Sequence, residues 1–464
     1  MALYLGIDIG TTSIASVIID KSDLSTKSVY STIPNSYIRN EEGFAEQDVN
    51  TILLTIDHLM SQHPANLLHQ VKGIGVAGQM HGILLWNKTT KVHSNLITWQ
   101  DMRASTQGIL TELQKKPNCS GLRDGFGFTS LATLYYNQKN NIKHNEDEIF
   151  DIQKNNYNCC GTIMDYLVWM LTGCPEECFI DYTNAASWGL FDISKNEWDR
   201  EAIKSLGIDY NILPKVRKPG SVAGELCSEY REKYHIDSTQ SSIFVKCAIG
   251  DNQASVVATG KKYNEEIYVT FGTGTQLSIV IDKEQSTKLE ESIKYELRPF
   301  PFDKLLIVTA PLSGGHTWVL LKNMTKDLLK KFDTFSDFSD SQVFEKLDEL
   351  ALAEINSVDL PQVLPHFSGE RWDPYCRGSI NNLTPYNFTI EKIAAATLIG
   401  MALNLKDNIP IQCFENHNVI VGNGTFIRKS EALRKVIEKV FGLPLVMTNI
   451  AEEAATGAAV LASM

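Results

Sequence analysis

Between Leu3 and Asp20 the chain reads LYLGIDIGTTSIASVIID: an apolar stretch carrying one acid, a Gly-Thr-Thr-Ser turn, and a second apolar stretch ending in another acid. Ala2 to Ile9 and Ile14 to Ile19 are β-rich and Gly10 opens the turn, so the pattern predicts a buried β-hairpin. The same pattern returns downstream. A shift of 262 positions (Gly272 against Gly10) lays VTFGTGTQLSIVID at Val269 to Asp282 on Ile7 to Asp20, with Thr273 on Thr11, Thr275 on Ser13, Ser278 on Ser16 and Asp282 on Asp20. The phase breaks where Thr270 meets Asp8 and where Gln276 meets Ile14. A repeat of this kind predicts duplication of a whole domain.

Elsewhere periodicity predicts an amphipathic helix over Val49 to Leu59, a strand over Val71 to Val76 and an apolar helix within Gly161 to Gly173. It further predicts a strand over Ser241 to Ile249, a helix over Glu391 to Leu405, and a buried strand over Val419 to Thr425. A small-residue helix over Glu452 to Ala462 is expected close to the Gly422-Asn423-Gly424 turn. Lys27 to Asn50 reads as polar and turn-rich, and Gln138 to Glu148 as a surface excursion.

Size and charge narrow the partners. At 464 residues, 43% of them hydrophobic, the chain has core material for two or three soluble domains. A net charge of −12 argues against nucleic acid, which needs clustered cations, and points to a small molecule. Asp8 interrupts the first apolar run, no basic segment precedes it, and no run approaches the roughly 18 residues of a membrane span. These features predict a cytoplasmic protein that engages no membrane. The nine cysteines are scattered, and neither Cys159-Cys160 nor Cys174 and Cys178 has a matching second pair, so reduced buried thiols are expected rather than zinc.

Several stretches carry candidate chemistry. The N–H groups of the Gly10 turn, with the Thr11, Thr12 and Ser13 hydroxyls, suit phosphate oxygens, and Asp8 stands where it could hold a metal. An ordinary hairpin with a half-buried Asp is the competing reading. Two such turns facing one another, with one carboxylate between them, fit a nucleoside triphosphate and its metal in an interdomain cleft. Gln79-Met80-His81 lies between small residues at a strand end, a usual place for ligand contacts. Trp99, Gln100, Asp101 and Arg103 suit the wall of a sugar site, ring against C–H faces and polar groups on hydroxyls; a core Trp beside an Asp101–Arg103 ion pair fits equally. Asp251 closes the first half and reads either as a helix N-cap or as a base for a substrate hydroxyl. The glycines around Asn423 leave room for a flat ring or a ribose.

Taken together, the hairpin pair, QMHG, TWQDMR and GDNQAS resemble the FGGY carbohydrate kinases of the actin/hexokinase-like superfamily, and the likeness runs end to end. Within that family, AGQMHG at Ala77 to Gly82, LITWQD at Leu96 to Asp101, GTIMDYLV at Gly161 to Val168, NAASWG at Asn184 to Gly189, KPGSVAG at Lys218 to Gly224 and GDNQASV at Gly250 to Val256 are similar to the sedoheptulokinase subgroup. The resemblance implies an α/β chain of two ribonuclease H-like domains, 1–255 and 256–464, around an interdomain cleft. It implies ATP and Mg²⁺ as cofactors and phosphorylation of the terminal primary hydroxyl of a ketose. Xylulose, another pentulose or glycerol are alternative acceptors, and a non-catalytic ATP-binding protein is the alternative of another class. By the same resemblance Asp251 is the base, Asp8 the carboxylate near Mg²⁺, and Thr11 to Ser13 with Gly272 and Thr273 the phosphate turns. Met80, His81, Trp99 and Asn252 fall at the sugar, and Gly422 to Gly424 near adenosine. Met102 replaces the glycine usual in the subgroup, and Asn423-Gly424-Thr425-Phe426 is a loose version of the adenosine loop.

Overall fold

A computed structural model describes every residue except 1, 42, 141, 143–146, 237–241, 273, 291, 333–337 and 374. The chain divides into two compact units, one of Met1–Thr259, Pro299–Phe302 and Ile450–Met464, the other of Gly260–Arg298 and Asp303–Asn449. The C-terminal segment therefore returns to the first unit.

In the first unit the expected hairpin forms. Strands β1 (Leu3–Ile9) and β2 (Ile14–Asp20) pair antiparallel from Leu3↔Asp20 to Ile9↔Ile14, and β3 (Thr26–Thr32) pairs antiparallel with β2. On the other side of β1 lies β4 (Val71–Gly78), parallel to it, followed by β5 (Val222–Glu225) and β6 (Phe244–Lys246) in the order β5-β6-β4-β1-β2-β3; the short β7 (Ile249–Gly250) pairs with the end of β4. The strand expected over Ser241 to Ile249 is thus broken in two. β3 corrects the reading of Lys27 to Asn50 as turns, as do the short strands Tyr37–Glu41 and Phe44–Gln47. As the last strand of the sheet, β3 faces water along much of its length and carries too few apolar residues to announce itself.

The helix Glu453–Ser463 is almost entirely buried, against β1, β4 and the helix Asp251–Thr259. Its small residues allow backbone-to-backbone approach: a Cβ at Gly6 would stand 1.8 Å from the Ala455 carbonyl oxygen, and one at Gly75 2.0 Å from that of Ala458. The pattern announced this helix. It is the glycines of β1 and β4 that supply its seat.

The second unit repeats the plan. Strands β8 (Glu266–Phe271), β9 (Thr275–Ile281), β10 (Lys304–Thr309), β11 (Val419–Asn423) and β12 (Leu445–Met447) run β10-β9-β8-β11-β12, antiparallel among the first three and parallel across the last two pairings. This is the order and sense of β3-β2-β1-β4-β6 in the first unit. One detail of the repeat differs from the ungapped alignment. Ile9 pairs with Ile14 across four residues, whereas Phe271 pairs with Thr275 across three. The offset is therefore 262 along β1 and β8 but 261 along β2 and β9, and Thr275 matches Ile14 rather than Ser13.

Candidate functional site

The parallel strands β1, β4 and β7 end side by side, with Ile9 opposite Gly78 and Gly78 opposite Gly250. Asp8 and the Gly10 turn, Gln79-Met80-His81, and Asp251-Asn252 consequently emerge at one sheet end, where ligands of open α/β sheets bind.

Asp8 is half-buried, but its Oδ1 is enclosed and has no hydrogen-bond partner. Burial pushes its carboxyl well above the usual carboxylate range, and the charges of Asp251 and Glu452 add to the rise. Glu452 holds a left-handed backbone, φ 50°, at the start of the C-terminal helix. Asp251 is the first residue of its helix, and its Oδ1 accepts the N–H of the next residue, Asn252, at 2.7 Å. Just before it, the Gly250 N–H donates to Thr183 Oγ1, whose hydroxyl donates to Asp181 Oδ1. Asp181 is buried and its pKa is raised to about 7 by that burial.

Met80 is closed in, and a Cβ at Gly250 would stand 2.6 Å from its sulfur. His81 adopts φ 73°, donates its N–H to Ser187 Oγ at 3.1 Å and stacks on Phe126 at 5.0 Å. Its Nδ1 lies 2.7 Å from the Ser187 carbonyl oxygen, which only accepts, so Nδ1 carries a hydrogen. Trp99 is 37% exposed rather than a core residue, and its indole N–H donates to Thr11 Oγ1 at 2.8 Å. Thr12 and Ser13 are exposed.

Two expected contacts are corrected. Asp101 accepts from Arg103 Nε and Nη2 at 2.8 and 2.9 Å and from the Ala45 N–H at 2.8 Å, while Arg103 also donates to Glu46 Oε1. With both oxygens engaged and the residue 1% exposed, Asp101 serves the ion pair and not a sugar hydroxyl. Gln79 is likewise sealed, its amide oxygen taking the Thr11 hydroxyl and its NH₂ donating to Gln47. Gln47, Thr183, Ser187 and Glu452 were not singled out by sequence. The strand-end groups they meet, Gln79, Gly250, His81 and Asp8, lie far along the chain from them.

In the second unit, Thr270 pairs with Asn423, and Gly424, at φ 105°, runs so close to β8 that a Cβ would stand 2.4 Å from the Phe271 carbonyl oxygen. Gly272 and Gly422 to Gly424 therefore adjoin. The Gly272 carbonyl accepts the N–H of Gly315, which opens the helix Gly315–Phe332. Asn423 Oδ1 accepts from Arg428 Nη2 at 3.2 Å. Thr273 lies outside the described residues.

Family models match both parts of the chain: the FGGY family of carbohydrate kinases, N-terminal domain, over residues 3–258, and its C-terminal domain over 268–464. The chain belongs to the FGGY family of carbohydrate kinases. It is thereby an enzyme, a phosphotransferase acting on an alcohol group of a carbohydrate. Sedoheptulokinase of Mus musculus is 26% identical, the match covering 98% of this chain and 96% of that protein. Among solved structures, the ligand-bound xylulose kinase from Lactobacillus acidophilus superposes with a TM-score of 0.75 at 22% identity, covering 100% of this chain and 89% of the other. Plasmodium falciparum glycerol kinase with ADP gives a TM-score of 0.77 at 22% identity, with the same coverage of 100% and 89%. These likenesses show the FGGY fold, two actin/hexokinase-like α/β domains. Among the described residues no helix is long and apolar enough to cross a membrane.

Proposed function

We propose that this FGGY kinase transfers the γ-phosphoryl group of ATP to the terminal primary hydroxyl of a ketose, converting sedoheptulose to sedoheptulose 7-phosphate in the cytoplasm. The observation that carries the reading is the pair of carboxylates Asp8 and Asp251 at adjoining strand ends, one of them with an orphaned, buried oxygen. The end-to-end match to mouse sedoheptulokinase supports the choice of acceptor.

In this reading Asp251 takes the proton of the substrate hydroxyl as its oxygen attacks the γ-phosphorus and ADP departs. Met80, His81, Trp99 and Asn252 hold the sugar. The backbone donors of the Gly10–Ser13 turn and of Gly272 and Thr273 bind phosphate, and Gly422, Asn423 and Gly424 lie along the adenosine. Asp8 fits a Mg²⁺ site: its orphaned oxygen and the repulsion from two further carboxylates are both relieved by a divalent cation. Among the described residues no cluster of three His, Cys, Asp or Glu forms a cage. Mg²⁺ on one carboxylate and the nucleotide phosphates needs none. Bound there, it would offset the charge on the transferring phosphoryl group.

The test is a panel of sedoheptulose, xylulose, ribulose and glycerol in a coupled ADP-release assay. The highest kcat/KM is expected for sedoheptulose. A preference for xylulose or glycerol would move the acceptor to that sugar, and ATP binding without sugar-dependent ADP release would leave a non-catalytic nucleotide-binding protein.

A further inference from the structure

Thr11 sits in the first turn, yet its side chain is already spoken for. Its hydroxyl donates to Gln79 Oε1 at 3.2 Å and accepts from Trp99 Nε1–H at 2.8 Å. Gln79 Nε2 donates to Gln47 Oε1 at 2.9 Å, and Gln47 Nε2 donates to the Thr11 carbonyl oxygen at 2.8 Å. The three side chains close a ring. Its sense is determined from both ends: the Thr11 carbonyl only accepts and the indole only donates, so neither amide can be reversed without setting like atoms together.

Gln47 and Gln79 are 1% and 2% exposed, so the ring is a satisfied, buried polar network. Such a network rigidifies what it holds, and breaking one member leaves the others unpaired. A turn that receives an anion must keep its carbonyl oxygens away from it, and Gln47 occupies the one at Thr11. Trp99, partly exposed, feeds the same ring from the proposed sugar wall.

We propose that Gln47 and Gln79 are positioning residues: the Gln47–Gln79–Thr11 ring fixes the Gly10–Ser13 turn in its phosphate-receiving shape, and Trp99 ties that shape to the sugar wall. The inference rests on the phosphate role proposed for this turn. Gln47 touches neither reactant and acts through the Thr11 carbonyl.

The test measures Mg·ADP affinity by calorimetry in the absence of sugar. Gln47→Leu should weaken it about tenfold, the worth of a hydrogen bond whose loss strands buried partners, while sedoheptulose affinity stays at the wild-type level. Adding Trp99→Phe to Gln47→Leu should weaken Mg·ADP no further, because both act through one ring. Should Gln47→Leu fail to fold, Gln47→Glu keeps the side-chain shape and an acceptor for Gln79, loses the donor to Thr11, and carries the same expectation. Wild-type Mg·ADP affinity in a folded Gln47 variant overturns the inference, as do equal losses of nucleotide and sugar affinity. If the wild-type chain phosphorylates no sugar, the acceptor reading falls, and the sugar-free nucleotide measurement still decides the ring.

Discussion

The two units carry sheets of the same strand order, and they differ where the parallel strands end. β1 presents Asp8 beside Ala77, and Asp251 follows β7; at the matching place β8 presents Thr270 beside Asn423. The scaffold and its Gly-Thr turn were copied, but the acid near the end of β1 was not: Thr270 stands in its place.

If the acids of the first unit are the chemistry, Asp251→Asn should give the largest effect. Turnover is expected to fall by about 10²–10⁴-fold, the share of a general base, with sugar affinity retained in calorimetry. Near-normal kcat would return Asp251 to the status of a helix-start residue. Asp101 draws the line between chemistry and scaffold inside the same unit. Asp101→Asn breaks a buried ion pair and should cost roughly 3 kcal/mol in urea unfolding. The folded fraction should keep its KM for sugar, and a raised KM at unchanged stability would restore Asp101 to the sugar site.

How much of this was legible depends on how local each feature is. The hairpins, the repeat and the helices Val49–Gln62 and Ile390–Lys406 write their own periodicity. The one-residue difference between the turns escaped because pattern matching without gaps keeps a single offset, whereas strand register is set by pairing partners. TWQDMR supported two readings because what decides between them is Glu46 and the Ala45 N–H, more than fifty positions upstream. The Gln47 ring escaped for the same reason. The fold class and the position of Asp8, Gln79-Met80-His81 and Asp251 at strand ends were readable; which polar side chains are consumed by one another was not.

The contrast between Asp8 and Thr270 can also be read from stability against pH. Below its ordinary value of 3.8, Asp8 is protonated whether the chain is folded or not, and it costs nothing. As pH rises the unfolded chain releases this proton first, so the native state loses relative stability until the raised native pKa is passed. Asp8→Asn, which cannot ionise, should therefore melt a few degrees above wild type near neutral pH, and the gain should vanish toward the ordinary carboxylate pKa. Saturating Mg·ADP should shrink the gain in the wild-type comparison, because the cation offsets the same repulsion. A gain independent of pH would mean that packing, not charge, makes Asp8 costly.

The smallest effect is expected from giving the second unit the acid it lacks. Thr270 is exposed, so Thr270→Asp should leave the melting temperature nearly unchanged, as surface substitutions do. If the matching turn does receive phosphate, an added carboxylate at that strand end should raise the KM for ATP severalfold, more at low salt than at high, with little change in the KM for sugar. Adding Asp8→Asn restores the charge count without restoring its place, and should not return the KM for ATP to the wild-type value. Should Thr270→Asp bind ATP as wild type does at low ionic strength, the second turn would be a structural echo of the first, and the functional symmetry between the units would end at the fold.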